Sequence, residues 1–200
     1  LLADAEDETS SLWKYTDITS ATAKWQINQY NVNVKQEGGS GMVTGTGLYD
    51  YGEEITLTSS SNLGYTFLGW YLEDELLTED SVYEFNVPAK DITLTAKYEP
   101  LSEMSVFNFT STLTTCTISD IKDKMATSII VPDYVTRIEK GAFSGCGSLT
   151  SITLPFIGAS RSSGISSSAL FGYIFGESSY EDGVYVKQSF GLTASSSIAY

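Results

Sequence analysis

One stretch decides how the second half of the chain folds, and it reads Ser128-Ile129-Ile130-Val131-Pro132-Asp133-Tyr134-Val135-Thr136-Arg137-Ile138-Glu139-Lys140-Gly141-Ala142-Phe143-Ser144-Gly145-Cys146-Gly147-Ser148-Leu149. The sequence then begins again with Thr150-Ser151-Ile152-Thr153-Leu154-Pro155. Ile-x-Val-Pro returns as Ile-x-Leu-Pro after roughly 23 residues, a spacing typical of solenoid repeats. Each unit is predicted to be a short strand that ends at proline, because proline has no N–H to continue a ladder.

Apolar residues follow each strand at irregular intervals. They are Val135, Ile138, Ala142, Phe143, Cys146 and Leu149. In a solenoid such side chains point into one coil and stack on their counterparts in the next, so the core exists only between repeats. Residues 129–149 resemble the leucine-rich repeats of BspA-like bacterial surface proteins, whose repeat reads Ile-x-Ile-Pro-x-x-Val-Thr-x-Ile-x-x-x-Ala-Phe-x-x-Cys-x-x-Leu. The resemblance implies a short leucine-rich-repeat solenoid.

The sequence on either side of this repeat departs from its pattern. Alternation within 104–125 predicts two strands, which we interpret as a degenerate or capping coil. After Pro155 the residues 160–168 are rich in serine and glycine, and Leu170-Phe171-Gly172-Tyr173-Ile174-Phe175-Gly176 follows. The resemblance implies that this segment is an insertion between coils. The next coil is then expected to be missing, and residues 192–200 to be poorly ordered or to borrow a partner.

The first half of the chain carries a different pattern, with apolar and polar residues alternating as in half-buried strands. The predicted extended stretches are 30–35, 42–49, 53–58, 64–71, 81–87 and 91–98. Glycine-rich or charged turns separate them, among them 38–41 and Glu73-Asp74-Glu75. The pattern predicts a small all-β module that ends at Pro100.

This module is similar to the divergent internalin-B-type B-repeat, also met in Listeria–Bacteroides repeats. The residues that carry the similarity are Val32-Asn33-Val34, Gly45-x-Gly47-x-Tyr49-x-x-Gly52-Glu53-x-Ile55-x-Leu57, Gly64-Tyr65-x-Phe67-x-Gly69-Trp70, Tyr83-x-Phe85 and Ile92-Thr93-Leu94-Thr95-Ala96. The resemblance implies a β-grasp-like fold that is strung in tandem on bacterial surface proteins. It also implies that Trp70 belongs to the core.

Composition narrows the classes of function. The chain has 200 residues, 42% of them hydrophobic, and a formal net charge of −14. Such a charge repels nucleic-acid phosphates and anionic lipid, so neither is an expected partner. No stretch reaches the ~18 apolar residues of a membrane span, so no membrane insertion is predicted. Histidine is absent, and Cys116 and Cys146 are the two cysteines. Cys146 is interpreted as a buried free thiol, with a disulfide to Cys116 as the alternative.

Several motifs that resemble chemical sites are better explained as ordinary structure. The acids Glu53-Glu54 and Glu73-Asp74-Glu75 could suggest a glycosidase, but neighbouring strand residues point to opposite faces. Asp4 to Glu8 lacks the glycine and spaced oxygens of a calcium loop. The serines of 160–168 have no base to activate them. The sequence therefore predicts no catalytic residue, no cofactor and no metal site, and it does not identify the ligand-binding residues.

The predicted organisation has three parts. Residues 1–29 form a linker or partly ordered N-terminal segment, residues 30–100 form the B-repeat-like module, and residues 101–200 form the leucine-rich region with its Ser/Gly-rich insertion and a truncated C-terminal end. The acidic start without an initiator methionine suggests the interior of a longer chain. The overall prediction is a mainly β protein.

The predicted function is non-catalytic adhesion at a bacterial cell surface, or in a secreted protein. The B-repeat would be a spacer and the exposed sheet of the solenoid the contact surface for host or bacterial surface proteins or glycans. One alternative is an accessory carbohydrate-binding region of a larger surface enzyme, with a row of exposed aromatic residues among Tyr49, Tyr51, Tyr71 and Tyr83. The other alternative is a purely structural stalk. The oligomeric state is not predicted.

Overall fold

The computed structural model describes residues 26–164 and 166–176, together with the strand backbone of 185–190 and 194–199. The predictions for residues 1–25, including the acidic segment Asp4 to Glu8, lie outside the described residues. The part of the chain that is described is built of strands with three short 3-10 helices, and it contains no α-helix. This agrees with the mainly β composition that the sequence predicts.

The first half of the chain folds into eight strands between Gln29 and Pro100. They are β1 (Gln29–Glu37), β2 (Gly41–Thr44), β3 (Gly47–Asp50), β4 (Glu54–Ser61), β5 (Tyr65–Leu72), β6 (Glu75–Thr78), β7 (Val82–Asn86) and β8 (Ile92–Pro100). Five of them form a sheet in the order β3-β1-β8-β5-β6, and the other three form a sheet in the order β2-β4-β7. The first and last strands, β1 and β8, lie side by side and run parallel.

The core of this half lies between the two sheets. Val32, Leu57, Trp70 and Leu94 come from strands of both sheets and are fully buried in one cluster. The side chain of Tyr98 is buried with them, and its hydroxyl shares a 2.7 Å hydrogen bond with the Ser59 hydroxyl. Burying an apolar side chain of this size contributes about 1.5–3 kcal/mol, so this cluster is the main source of stability for the module.

Two details of this half differ from the sequence prediction. The extended stretch predicted over 42–49 is broken at Gly45, whose φ is +91°. A Cβ at that position would lie 2.1 Å from the Thr56 carbonyl oxygen, so only glycine fits there. The break divides the stretch into β2 and β3, which belong to different sheets. Strand β6 was not predicted, and it pairs with β5 after the turn at Glu73, whose φ is +57°.

The second half consists of shorter strands with parallel pairings. They are β9 (Phe107–Ser111), β10 (Cys116–Ile121), β11 (Ser128–Ile130), β12 (Arg137–Ile138) and β13 (Ser151–Thr153). β9 and β10 are antiparallel, β10 and β12 are parallel, and β11 pairs in parallel with β13. Short 3-10 helices cover Ser102–Met104, Ser167–Ala169 and Phe171–Phe175. Ile129 lies opposite Ile152, so the two Ile-x-x-Pro motifs occupy equivalent places in neighbouring strands.

A second hydrophobic cluster fills this half. Its largest fully buried members are Met104, Phe107, Ile118, Ile121, Ile138, Phe143 and Ile174. The ring of Phe143 lies between two others, with centroids 6.4 Å from Phe107 and 6.0 Å from Phe175. The cluster therefore runs without interruption from the strands before the recognised repeat to the segment after it.

Residues 170–176 are packed onto the second half. This segment was expected to be an insertion with the next coil missing, which stays a prediction, and the structure shows that Ile174 and Phe175 are buried in the same core as Phe143. The Gly141 amide donates to the Tyr173 carbonyl at 3.0 Å, and the Phe143 amide donates to the Ile174 carbonyl at 2.8 Å. The segment thus packs on the Gly-Ala-Phe part of the preceding repeat.

The two halves meet at the turn between β4 and β5. The Leu63 amide donates to the Thr112 carbonyl at 2.9 Å, and the rings of Tyr65 and Phe109 lie 5.0 Å apart. Gly64 has a φ of +83° and is buried, and a Cβ there would lie 3.0 Å from the Phe109 ring. The first half therefore contacts the second through side chains and backbone, in addition to the covalent connection after Pro100.

The end of the chain contains a hairpin. β14 (Tyr185–Phe190) and β15 (Ala194–Ala199) pair in antiparallel fashion. Residues 192–200 were expected to be poorly ordered or to borrow a partner. The part of that range that the structure describes, 194–199, instead pairs with β14, and the remainder lies outside the described residues.

Candidate functional site

The candidate contact surface is the outward side of β11 and β13, which we call the repeat face. Its four residues are Ser128, Ile130, Ser151 and Thr153, all of them exposed. Successive strand residues point to opposite sides, so this exposure follows from the inward position of Ile129 between Ser128 and Ile130. Ile129 is 4% exposed, whereas Ile130 is 67% exposed. The sequence located the buried partners, and alternation then identifies the exposed ones.

The repeat face is neutral and amphipathic. It combines one aliphatic side chain with three hydroxyl-bearing ones, arranged as the register pairs Ser128↔Ser151 and Ile130↔Thr153. The backbone is held by further bonds at both ends of the pair, where the Val131 amide donates to the Thr153 carbonyl and the Thr150 amide to the Thr127 carbonyl, each at 2.9 Å. The repeat face thus carries no charged side chain, on a chain whose net charge is −14.

Arg161 fixes the chain next to this face, and the sequence analysis missed it. Its guanidinium donates to the Pro155 carbonyl at 3.1 Å and to the Asp133 carbonyl at 2.9 Å, and it lies 5.9 Å from the Phe156 ring centroid. These carbonyls lie just beyond the ends of β13 and β11. A sequence signal existed, because Arg161 is the one charged residue between positions 156 and 176. It ties the two repeat turns together.

The four tyrosines that the carbohydrate alternative requires do not form a row. Tyr83 lies on β7 in the three-stranded sheet, whereas Tyr49 and Tyr71 lie on strands of the five-stranded sheet. Tyr49 is half-buried and its hydroxyl donates to the Gly45 carbonyl at 2.9 Å. Tyr71 lies beneath Lys97, whose Nζ is 4.4 Å from the ring centroid.

The remaining two tyrosines differ in how accessible they are. Tyr83 stacks on Phe85 with centroids 5.1 Å apart. Tyr51 is the accessible ring, 58% exposed, and it makes an edge contact with Tyr30 at 6.5 Å. A sugar-binding surface on this module would therefore be centred on Tyr51 and Tyr30. Trp70 is fully buried, as the B-repeat resemblance implies.

The acidic motifs have structural roles or lie exposed on turns. A Glu53 carboxylate oxygen accepts a hydrogen bond from the Asp50 amide at 3.0 Å, which closes the turn before β4. Glu54 begins β4 and is exposed, and Glu73 and Asp74 lie in the turn between β5 and β6. Within the described residues, no group of three or more His, Cys, Asp or Glu side chains is placed to hold a metal ion. In the same part of the chain, no helix is long and apolar enough to cross a membrane.

Both cysteines are free and buried in the core of the second half. Burial raises the pKa of the Cys116 thiol from its ordinary value of 9.0 to about 11. Burial also raises the pKa of Cys146, Asp120 and Asp123 add to that effect, and Lys124 opposes it. Only the thiolate is a good nucleophile, so at neutral pH both side chains behave as small core residues.

The buried thiol of Cys116 predicts a loss of stability at alkaline pH. Its pKa is higher in the folded chain than in the unfolded one, so the unfolded chain loses the proton first and is favoured as pH rises. The contribution is fully present below pH 9.0, the ordinary value, and is lost as pH approaches about 11. Over that window the free energy of unfolding should fall by roughly 1.4 kcal/mol per pH unit because of this thiol.

Urea unfolding at several pH values between 8 and 11 measures this slope. Other groups also titrate in this range, and burial raises the pKa of Tyr98 as well. Cys116→Ala is therefore the reference, since it lacks the thiol and keeps the other titrating groups. The slope for the wild-type chain should exceed that of Cys116→Ala, and equal slopes would show that the thiol is not buried as described.

Comparison with known proteins finds a family match within the first half of the chain. Residues 30–102 match the family model of the divergent InlB B-repeat domain. This confirms the B-repeat resemblance predicted for residues 30–100. The match covers both sheets of that half and ends at the 3-10 helix Ser102–Met104. The finer β-grasp likeness and the leucine-rich-repeat resemblance of residues 129–149 stay predictions.

Two relatives come from Evansella cellulosilytica. A protein described as "Putative Gly-rich membrane protein" is 36% identical over 100 residues, which is 50% of this chain and 11% of that protein. A second, described as "Putative membrane protein", is 39% identical over 77 residues, which is 38% of this chain and 11% of that protein. The aligned segments therefore span about a tenth of the length of these relatives. No solved structure matches the chain significantly.

Proposed function

We propose that this chain is a non-catalytic part of a bacterial cell-surface protein, in which the B-repeat module is a spacer and the second half provides an adhesive contact surface. The single observation that carries the proposal is the combination of a B-repeat over residues 30–102 with an exposed, neutral pair of parallel strands beyond it. A spacer holds a binding surface away from its point of attachment, and parallel strands that repeat along a chain provide an extended surface for recognition.

The family match, the descriptions of the two relatives and the net charge support a location at the cell surface. The family model describes a module named after a B-repeat, and the two relatives carry the words "membrane protein" in their descriptions. The net charge of −14 favours a soluble exposed segment and disfavours nucleic acid as a partner. These observations support our proposal that this segment lies outside the cell.

The second half is proposed to be a short leucine-rich solenoid of the BspA type. Three features support this. The Ile-x-x-Pro strands β11 and β13 pair in parallel, with Ile129 opposite Ile152. The residues at the inward positions of the repeat are all buried, namely Val135, Ile138, Ala142, Phe143 and Cys146. Residues 173–174 accept hydrogen bonds from the backbone of 141–143. These are the contacts that consecutive coils of a solenoid make.

A second function is favoured by one observation on the B-repeat module. Tyr51 presents an exposed ring braced by Tyr30, and paired aromatic rings of this kind stack well on the apolar faces of sugars. On this alternative the chain is an accessory carbohydrate-binding region of a larger enzyme. A stalk without a partner of its own is the third candidate. The repeat face and Tyr51 lie in different halves of the chain, so a substitution at one leaves the other intact. Single substitutions can therefore distinguish the adhesive, carbohydrate-binding and stalk functions.

The decisive experiment measures binding of the chain to a panel of purified extracellular-matrix proteins and to a glycan array. Ile130→Glu places a charge on the repeat face. Because Ile130 is 67% exposed, the new carboxylate stays in water and should not disturb the core. For a protein ligand bound at this face, the dissociation constant should rise by at least about tenfold, since a desolvated charge at the centre of an interface costs over 1.4 kcal/mol. The matched control is Met42→Glu, on the B-repeat at a position that is 53% exposed.

The outcomes separate the candidates. Protein binding that Ile130→Glu weakens and Met42→Glu preserves supports adhesion through the repeat face. Glycan binding that Tyr51→Ala abolishes and Ile130→Glu preserves overturns it in favour of the carbohydrate-binding region. Absence of binding by the wild-type chain, with melting curves that show each variant folded, overturns it in favour of the stalk.

A further inference from the structure

The pairing of β1 with β8 has a consequence for how the B-repeat module bears load. The two strands run parallel through six register pairs, from Val32↔Ile92 to Glu37↔Lys97. The chain enters the module at Gln29, at the start of β1, and leaves it at Pro100, at the end of β8. In a parallel pair these two points lie at opposite ends of the shared strand axis. Tension along the chain therefore slides β1 against β8 instead of separating them sideways.

The direction of loading decides how many hydrogen bonds resist it. Parallel strands have evenly spaced bonds along their whole length. Sliding loads all of them at once, whereas separation from one end breaks them one after another. The same set of bonds thus resists a much larger force in the first geometry than in the second, although its equilibrium stability is unchanged.

Neighbouring strands hold both members of this pair in place. β8 is central in the five-stranded sheet and pairs with β5 through seven further register pairs, while β1 also pairs with β3. Inward side chains fix the register from below, because Val32, Leu94 and Ala96 are fully buried. Sliding by one residue would move these side chains out of the core, so slippage is strongly opposed.

A side-chain contact reinforces the start of the pair. The Asp91 carboxylate accepts a hydrogen bond from the Asn31 backbone amide at 2.7 Å and a second from the Asn31 side-chain amide at 3.3 Å. Asp91 immediately precedes β8, and Asn31 lies in β1, so the contact joins the two strands that tension would slide apart. Hydrogen bonds to a charged acceptor are stronger than neutral ones.

We propose that residues 29–100 act as a mechanical clamp, in which the parallel β1–β8 pair lets the module stay folded while tension passes through the chain. This function goes beyond that of a passive spacer, and it does not depend on which ligand the second half binds. A module that unfolded readily would lengthen under load and lose any fixed distance between its ends. A sheared pair of strands prevents that.

The test is single-molecule pulling on the full chain in two geometries. Azide-bearing residues at positions 29 and 99 place the handles at opposite ends of the β1–β8 pair, and handles at 37 and 99 place them at the same end. Gln29, Glu37 and Glu99 are all exposed, so the handles fit without disturbing the core. We expect the 29/99 chain to rupture at a force at least about twofold higher, because six register pairs share the load instead of one.

Two carboxylate variants provide the second measurement, with the melting temperature of each measured beside its rupture force. Asp91→Ala removes the contact with Asn31 and should lower the rupture force in the 29/99 geometry. Asp80→Ala is the control. It removes the hydrogen bond that the exposed Asp80 carboxylate accepts at 3.4 Å from the hydroxyl of Thr78, the last residue of β6, and this bond lies outside the β1–β8 pair, so the force should be unchanged. Equal rupture forces in the two geometries, with matching melting temperatures, would overturn the clamp. So would an Asp91→Ala force equal to that of Asp80→Ala.

Discussion

Replacing Trp70 by alanine is expected to lower the free energy of unfolding of the B-repeat module by about 3–5 kcal/mol. Trp70 is fully buried at the centre of the cluster between the two sheets, and its ring packs edge-on against Phe67 with centroids 5.4 Å apart. Alanine would leave a large cavity there that strands on both sides cannot close. Chemical denaturation followed by far-UV circular dichroism measures the loss.

The indole N–H makes a second substitution informative. Trp70 Nε1 is buried and has no hydrogen-bond partner in the described structure. A buried donor without a partner lowers the free energy of unfolding by about 1–3 kcal/mol. Replacing the indole by a phenyl ring removes this penalty, which offsets part of the packing energy lost with the smaller ring. Trp70→Phe should therefore cost less than half as much as Trp70→Ala. A residue that served as a surface platform for sugars would behave differently, because both substitutions would change stability by less than about 0.5 kcal/mol.

The strands of the first half can be predicted from the sequence where they are half-buried and alternate. In β4, for example, Ile55, Leu57 and Ser59 are buried at every second position, as the alternation in the sequence predicts. Strands β5 and β8, however, bury consecutive residues and do not follow that pattern. Alternation does not report which sheet a strand joins. The break at Gly45 depends on the Thr56 carbonyl, which is distant in sequence, and the pairing of β6 depends on the turn at Glu73.

The second half was harder to predict because its contacts join residues that share no local pattern. The buried residues of 129–149 follow from the repeat, and they are buried as expected. Residues 170–176 lack the repeat's spacing, so sequence comparison assigned them to an insertion. Their burial follows from apolar content, since Ile174 and Phe175 need a core and the Phe143 side of the preceding repeat supplies one.

The candidate site shows the same division between local and long-range information. The repeat face follows from alternation around Ile129, because its residues are the exposed neighbours of buried ones. Arg161 does not, since its partners are the backbone carbonyls of Asp133 and Pro155, which no sequence pattern specifies. Likewise, the separation of Tyr83 from Tyr49 and Tyr71 depends on how the strands are divided between two sheets.

Phe143→Ala is the substitution that most directly tests whether residues 170–176 belong to the core of the second half. Phe143 is fully buried between Phe107 and Phe175, so its truncation should cost about 3–5 kcal/mol of unfolding free energy. Hydrogen exchange should show the loss at the amides of Gly141 and Phe143, which donate to the carbonyls of Tyr173 and Ile174. Ile157→Ala is the control, because Ile157 is 62% exposed and should change stability by less than about 0.5 kcal/mol.

A double-mutant cycle between Phe143 and Phe175 then decides between a shared core and two independent ones. If the rings share a core, the losses caused by Phe143→Ala and Phe175→Ala should be non-additive by about 0.5–1.5 kcal/mol, since each ring loses its contact when the other is removed. If residues 170–176 formed a separate insertion, the two losses would add, and the amides of Gly141 and Phe143 would keep their protection in Phe175→Ala. Non-additive losses would mean that the repeat and the segment after it share one core, because the ring of each residue packs against the ring of the other.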